Sequence, residues 1–584
     1  MPLIGASYMS PPRSLADRLP AALFPSVSGI KIVAILIALL LIGLLIVPVA
    51  MVMFVAFQDP ATGALTLQNF SDFFASALFR ESFWNSFYVS AMSVVFATLI
   101  ALPLAYITTR FNFRGSIIIQ SLGFIPLIMP PFVGAVAMQL IFGRNGSINL
   151  ILRDKFGIDI PFMDGLNGVI LVQSIHYFPF ILINLSASLR NIDRSMEEAA
   201  QNLGSSGMRL FRRIVFPLAM PGYIAGAALV FIKVFDDLGT PLLLNVNNML
   251  APQAFLRISS IGISDPMGYV ISFILVAFSI FSLWASFLFM RGKDYATVQK
   301  GGGGMAKRDL KLTEKMLAYG AVGFILLLVL SPHIGLLLLS FGTIWSYAPL
   351  PDAYTLSNYV TMWEGSKDYI INTLLYAGLA ATADVIIGTA IAYIVLRTGM
   401  FGRHALDYLA TAALAVPGVV LGIGYLRMFH GINIPFTNDP MASWWVIIAL
   451  ALMIRRLPYA LRACTAALQQ VSSALEEAAE SLGATKFRTI RRVVLPLMSA
   501  GILAGFVTSF ATAAVELSAT IMLVSSNSDA PLAYGIYLFM QTPSGRGAGA
   551  ALGIVAVILV AIGMIVSQLI IARDKKFKTT GDNE

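Results

Sequence analysis

Residues Glu197–Leu218 read EEAAQNLGSSGMRLFRRIVFPL, and residues Glu476–Leu497, 279 positions later, read EEAAESLGATKFRTIRRVVLPL. Each stretch packs two adjacent carboxylates, three arginines and a glycine into 22 positions of a chain that is otherwise mostly apolar. From Glu197 to Gly226 against Glu476 to Gly505, 15 of 30 positions are identical. A polar passage written twice at one offset marks an internal repeat, and the apolar remainder says where that repeat resides.

The chain has 584 residues, 58% hydrophobic and 12% charged, with mean hydropathy +0.81. A soluble domain averages about 45–50% apolar and about 25% charged residues. Apolar runs of about 20 residues, long enough to cross a bilayer, recur along the whole length. They predict twelve spans at 30–57, 83–108, 117–142, 168–189, 219–244, 268–290, 317–341, 370–396, 405–426, 442–466, 500–524 and 548–571. The net charge of +9 does not point to nucleic acid. With a cytoplasmic N-terminus, most Lys and Arg fall in the inside segments, as the positive-inside rule requires. Both termini are then expected in the cytoplasm. Cys464 is the only cysteine, which excludes an intrachain disulfide or CxxC site. The polar lead-in MPLIGASYMSPPRSLADRLP does not resemble a cleaved signal peptide.

The second half repeats the first. TLQNF (Thr66–Phe70) returns as TLSNY (Thr355–Tyr359), AYITTR (Ala105–Arg110) as AYIVLR (Ala392–Arg397), and Asn85 as Asn372. PPFVGAVAM from Pro130 matches PGVVLGIGY from Pro417, and a longer external loop over 143–167 absorbs a change of offset. The expected fold is therefore all-α and polytopic, twelve transmembrane helices in two parallel six-helix repeats. The expected division is an N-terminus, first span and loop (1–82), a first repeat unit (83–290), a linker (291–316), a seventh span and loop (317–369), a second repeat unit (370–571) and a tail (572–584). The linker RGKDYATVQKGGGGMAKRDLKLTEK reads as a flexible tether. No G-x-x-x-x-G-K-[ST] phosphate loop occurs in the chain, so it is not expected to hydrolyse nucleotide itself.

Within each polar passage, Ser195 stands three before Glu198 and Ser473 three before Glu476, capping-box arrangements offset by one residue between the copies. Gly204 and Gly483 allow the left-handed turn that ends a short helix. A second short helix is expected to place Arg209, Arg212 and Arg213 on one face, as Arg488, Arg491 and Arg492 do in the other copy. Pro217 and Pro496 fall where the next membrane helix starts.

Glu198, Ala199, Ala200, Gly204, Ile214 and Pro217, repeated as Glu477, Ala478, Ala479, Gly483, Val493 and Pro496, resemble the cytoplasmic signature of type I ABC-importer permeases. The resemblance implies a coupling helix in each loop (190–216 and 468–495) that docks on a separate ATPase. It further implies two ATPase copies carrying ATP and Mg, an external substrate-binding protein, and a bacterial inner-membrane location. No cofactor or nucleic acid is implied for this chain. Fused double permeases of this length resemble the ferric-iron importer group, as do DDLGTPLLL (Asp236–Leu244), VELSATIML (Val515–Leu523), PLAYGIY near Pro531 and RRLP (Arg455–Pro458). That group shades into importers of phosphonates, sugar phosphates, thiamine and polyamines. The four His are scattered, and any metal-ligand set is unknown. A secondary transporter also repeats its halves but has no use for paired docking loops. A membrane enzyme lacks support, since no H-E-x-x-H or G-x-S-x-G motif is present.

Charges inside the spans raise a second site. Arg455 and Arg456 fall in the tenth span, Lys233, Asp236 and Asp237 in the fifth, Glu516 in the eleventh and Asp384 in the eighth. A charge at mid-bilayer costs about 2.5–3.5 kcal/mol on insertion scales, so it normally faces a partner or a water-filled path. One reading is an internal ion pair of Arg455 or Arg456 with Glu516 or Asp384. The other is a translocation path carrying Arg455, Arg456, Asp237 and Glu516. Pro179 and Pro458 are expected to interrupt the fourth and tenth helices nearby.

Overall fold

The computed structural model describes residues 25–112, 114–290, 309–435 and 437–581. The first 24 residues and most of the expected tether at 291–316 lie outside the described residues.

Among the described residues, nine helices are long and apolar enough to cross a membrane. Two further spans are bent pairs: Ile118–Ile128 with Pro131–Phe156 at 102°, and Arg403–Ala415 with Gly418–Met428 at 106°. The helix Trp445–Gln469 completes the twelve. Arg455, Arg456 and Arg462 lower its apolarity, but its 25 residues reach about 37 Å, enough for a hydrocarbon core of about 30 Å.

The breaks are not where the isolated prolines predicted them. Leu166–Arg190 runs unbroken through Pro179, and Trp445–Gln469 unbroken through Pro458. Instead the third and ninth spans break, at Met129–Pro130 and Val416–Pro417. The reason is the doublet. A lone proline removes one helical hydrogen bond, which a packed helix tolerates as a local distortion. Pro130–Pro131 removes two donors, and Pro417–Gly418 joins a missing donor to the residue with most backbone entropy to lose. Met129 and Val416 are extended at ψ 135° and 116°, the conformation forced on a residue preceding proline.

Three other prolines leave a subtler mark. Five-residue π turns cover Ile42–Ile46, Phe211–Val215 and Ile490–Val494, each beginning six residues before Pro48, Pro217 or Pro496. Proline cannot donate to the carbonyl four residues back and clashes with it. The wider turn relieves that clash.

Each extra span crosses to the other half. The first packs on the ninth, where the Tyr425 hydroxyl donates to the Leu44 carbonyl at 2.8 Å. Gly424 lies so close to Pro48 that a Cβ there would come within 2.9 Å of it. The seventh span packs on the third, with Ser331 Oγ 3.4 Å from Met138 Sδ. Repeated asparagines tie the chain at the end away from the polar loops. Asn69 donates to the Ala56 and Gln58 carbonyls, and Asn358 to those of Ser340 and Gly342. Asn85 and Asn372 hold the Asn248 and Ala530 carbonyls in the same way. The loop expected over 143–167 contains a helix, Ser147–Phe156.

Candidate functional site

The two polar passages fold alike. Helices Arg194–Asn202 and Ser473–Ser481 start at Asp193 and Ser472, whose side chains accept the N–H two residues on. The expected caps, Ser195 and Ser473, therefore yield to residues that match at the common offset. The one-residue difference between the copies is absent. The Ser195 backbone amide holds the Asp193 carboxyl below its ordinary range. Both helices close with Gly204 at φ +82° and Gly483 at φ +85°. Ser205 N–H bonds to Ala200 O and Gly204 N–H to Gln201 O, bonds that Ala484 and Gly483 repeat. This paired pattern is the Schellman ending, and it requires the left-handed residue that glycine adopts without strain.

No separate second helix follows. From Gly207 to Phe235, and from Lys486 to Ala514, one helix enters the membrane through a π turn. Arg209, Arg212 and Arg213 are exposed, as are Arg488, Arg491 and Arg492. The extra residue per turn, however, displaces them from simple helical register.

Of the signature residues, Glu198, Ala199, Glu477 and Ala478 are exposed, while Ala200 is buried and Ala479 half-buried. At the closing turns, Leu203 is 88% exposed and Leu482 90%. The preceding carboxylates do different work. Glu197 pairs with Arg110 at the end of the second span, and Glu476 pairs with Arg397 at the end of the eighth, 2.6 Å away. Arg397 also donates to the Leu468 and Val471 carbonyls, and the Tyr393 hydroxyl reaches Glu476 at 3.2 Å. Arg110 is 6% exposed and Glu476 8%. These arginines fasten each polar helix to the membrane bundle, a role the sequence reading missed. The available signal was their recurrence in AYITTR and AYIVLR.

The second site lies between the halves, beside the break in the third span. A cavity of about 160 Å³ is lined by Pro130, Tyr177, Lys233, Asp236, Asp237, Arg455, Arg456, Tyr459 and Glu516, among others. Arg456 pairs with Glu516. Arg455 Nε lies 3.7 Å from Glu516 Oε2, and its Nη2 lies 3.6 Å from Asp236 Oδ2 in the other half. Asp236 also accepts from Gly418 N–H at the ninth-span break, at 3.3 Å. The expected Arg–Glu516 pair is present and lines the cavity as well. Among the described residues Asp384 joins no arginine pair, and it accepts from Ser509 instead. Asp237 faces the cavity but is held by Gln173 and by Thr240 N–H, not by arginine. Glu516 accepts Ala519 N–H at 3.1 Å, the matching bond in the second half. The repeat thus keeps a carboxylate at one position and changes its partner, glutamine in the first half and arginine in the second. Among the described residues, Arg455 Nη1, Arg456 Nε and Asp236 Oδ1 are buried without hydrogen-bond partners. These atoms leave polar capacity at the cavity.

Comparison with known proteins places this geometry. The chain is 29% identical over 457 residues to the ferric transport system permease protein FbpB of Actinobacillus pleuropneumoniae, covering 77% of this chain and 65% of that protein. It is 24% identical over 427 residues to the Fe(3+)-transport system permease protein FbpB 2 of Haemophilus influenzae, covering 72% of this chain and 77% of the relative. The molybdenum transport system permease protein ModB of Haemophilus influenzae is 33% identical over 154 residues, 26% of this chain and 66% of its own length. One family matches twice, over residues 93–294 and 384–576. The chain belongs to the family of binding-protein-dependent transport system inner membrane components, and it carries that unit in duplicate.

Proposed function

We propose that this chain supplies both permease halves of an ABC importer for ferric iron. In this reading an external binding protein delivers the ion, and two copies of a separate ATPase, which bind ATP and Mg, dock on loops 190–216 and 468–495. The halves are 83–290 and 370–571. Both termini and both loops face the cytoplasm of a bacterial inner membrane.

The observation that carries the reading is the doubled loop. Each copy mounts a short helix on a largely buried Arg–Glu pair and presents a carboxylate, an alanine and a nearly bare leucine outward. A rigid mount with an exposed apolar tip suits transmission of force from a partner. The two FbpB relatives support iron. The test is reconstitution in liposomes with the partner ATPase and a ferric-loaded binding protein, reading ATP-dependent accumulation of radiolabelled iron. Iron uptake without ATP would instead identify a secondary transporter.

A second reading, import of a phosphonate or phosphate ester, is favoured by Lys233, Arg455 and Arg456 at the cavity. Stimulation of ATP hydrolysis by such an ester with its binding protein, and not by iron, would select it.

A further inference from the structure

A second polar pocket lies at the end of the bundle away from the two docking loops, and it shares no lining residue with the central cavity. Its volume is about 350 Å³. The first half contributes Gln139 and Arg144 from the end of the third span and the loop after it, with Asp164 further along. The second half contributes Trp345 from the loop after the seventh span and Arg546 from the start of the twelfth.

Two arginines and an indole N–H stand on the pocket lining. Its one carboxylate, Asp164, is engaged by Arg144 at 3.1 Å. Arg546 makes no ion pair or hydrogen bond among the described residues, and its Nε is buried without a partner. Trp345 is 8% exposed, and its indole Nε1 is likewise buried and unpartnered. Indole nitrogen is a donor only, and guanidinium offers five donors and no acceptor. Buried donors normally have partners, and a pair of orphans on one pocket wall calls for an explanation. The loop bearing Trp345 is held in place: Thr343 N–H bonds to Ala353 O and Asp352 N–H to Ile344 O, both at 2.9 Å. Tyr347 beside it takes a left-handed backbone at φ +55°, an uncommon conformation for a bulky residue.

We propose that this pocket binds a small oxyanion, a carboxylate or phosphate group, through Arg546 and Trp345, with Arg144 at its rim. Planar guanidinium matches such groups in two-point hydrogen bonding. Because the walls come from both halves, occupancy favours the arrangement in which the halves lie together at this end. The site is independent of the transported substrate and stands or falls apart from the iron assignment.

The test uses the full chain in nanodiscs of purely zwitterionic lipid, titrated separately with citrate and with inorganic phosphate, reading the thermal unfolding midpoint. At least one anion should raise the midpoint saturably. Arg546→Gln should weaken the apparent affinity about tenfold, the scale of one charge-assisted contact. Trp345→Phe should weaken it less. Arg144→Gln, at a side chain 69% exposed and so tolerant of change, should weaken it about threefold and guards against misfolding of the Arg546 variant. A parallel arm with phosphatidylglycerol discs separates the sources. Stabilisation there that Arg546→Gln abolishes, without any response to soluble anions, assigns the same pocket to a lipid phosphate. Absence of a saturable response in both arms overturns the proposal, as does a response that neither Arg546→Gln nor Arg144→Gln alters.

Discussion

Arg455 reaches out of the second half to Asp236 of the first, Nη2 to Oδ2 at 3.6 Å, while its Nε faces Glu516 at 3.7 Å. One buried guanidinium thus spans the seam between the repeats.

Removing one partner of such a buried pair typically costs about 3–5 kcal/mol, because the other charge is left uncompensated. Arg455→Gln should lower the unfolding midpoint, and Arg455→Gln with Asp236→Asn should recover much of the loss. A double-mutant cycle on purified protein measures the coupling. Additive losses from the two changes would show that the bridge contributes nothing of its own.

The neighbouring carboxylates of each loop should separate cleanly. Glu198→Lys with Glu477→Lys alters exposed side chains and should abolish ATP-driven uptake with folded yield unchanged. Glu197→Gln with Glu476→Gln releases buried Arg110 and half-buried Arg397 and should lower yield and midpoint first. Normal uptake in the Glu198/Glu477 double variant would remove the docking role.

Arg397 holds Glu476 and two backbone carbonyls, joining the eighth span, the end of the tenth and the second loop. Arg397→Ala should therefore raise hydrogen exchange across 468–482, beyond the loop helix itself. Protection over 468–471 equal to that of the parent protein would contradict this linkage.

Gly204 and Gly483 have open space where a Cβ would go, so substitution there meets a backbone cost and not a clash. Placing a β-branched residue in the left-handed region costs roughly 1–2 kcal/mol. Gly483→Val should fray the helix end without loss of insertion. The expected readout is faster exchange at Leu482 and Ala484 together with reduced stimulation of the ATPase.

Acid should distinguish the copies. The Asp193 carboxyl is depressed by its cap bond, so its contribution is fully present above the ordinary aspartate range and is lost as pH falls through the lowered value. Ser472 has no such titration. Hydrogen exchange on acidification should therefore loosen the first loop helix before the second, and Asp193→Ser should remove the difference.

Much of this was legible in the residues. Repetition exposed the two loops, their closing glycines and the matched asparagines, because each recurs with the same neighbours and does a local job. Arg455, Arg456 and Glu516 announced themselves as charges in apolar surroundings. The features that escaped depend on relations a linear reading does not weigh. Pro130 and Pro417 were noticed as a repeat, but only their following residue, a second proline or a glycine, makes them breaks where Pro179 and Pro458 are not. Asp236 differs little from Asp237 in sequence, and only packing of the opposite half decides which one meets Arg455. Arg110 and Arg397 sit at span ends, where a basic residue is ordinarily explained by topology alone.

The crossing of the first span onto the second half bears on biogenesis. Leu44 and Tyr425 are 381 positions apart, and at about 5–20 residues per second the ribosome needs roughly 20–80 s to deliver the second after the first. Throughout that interval the first span waits in lipid, with the groove side of its π turn uncovered by the helix that will seal it. Its final seat is a late step in synthesis, set by translation of the far half.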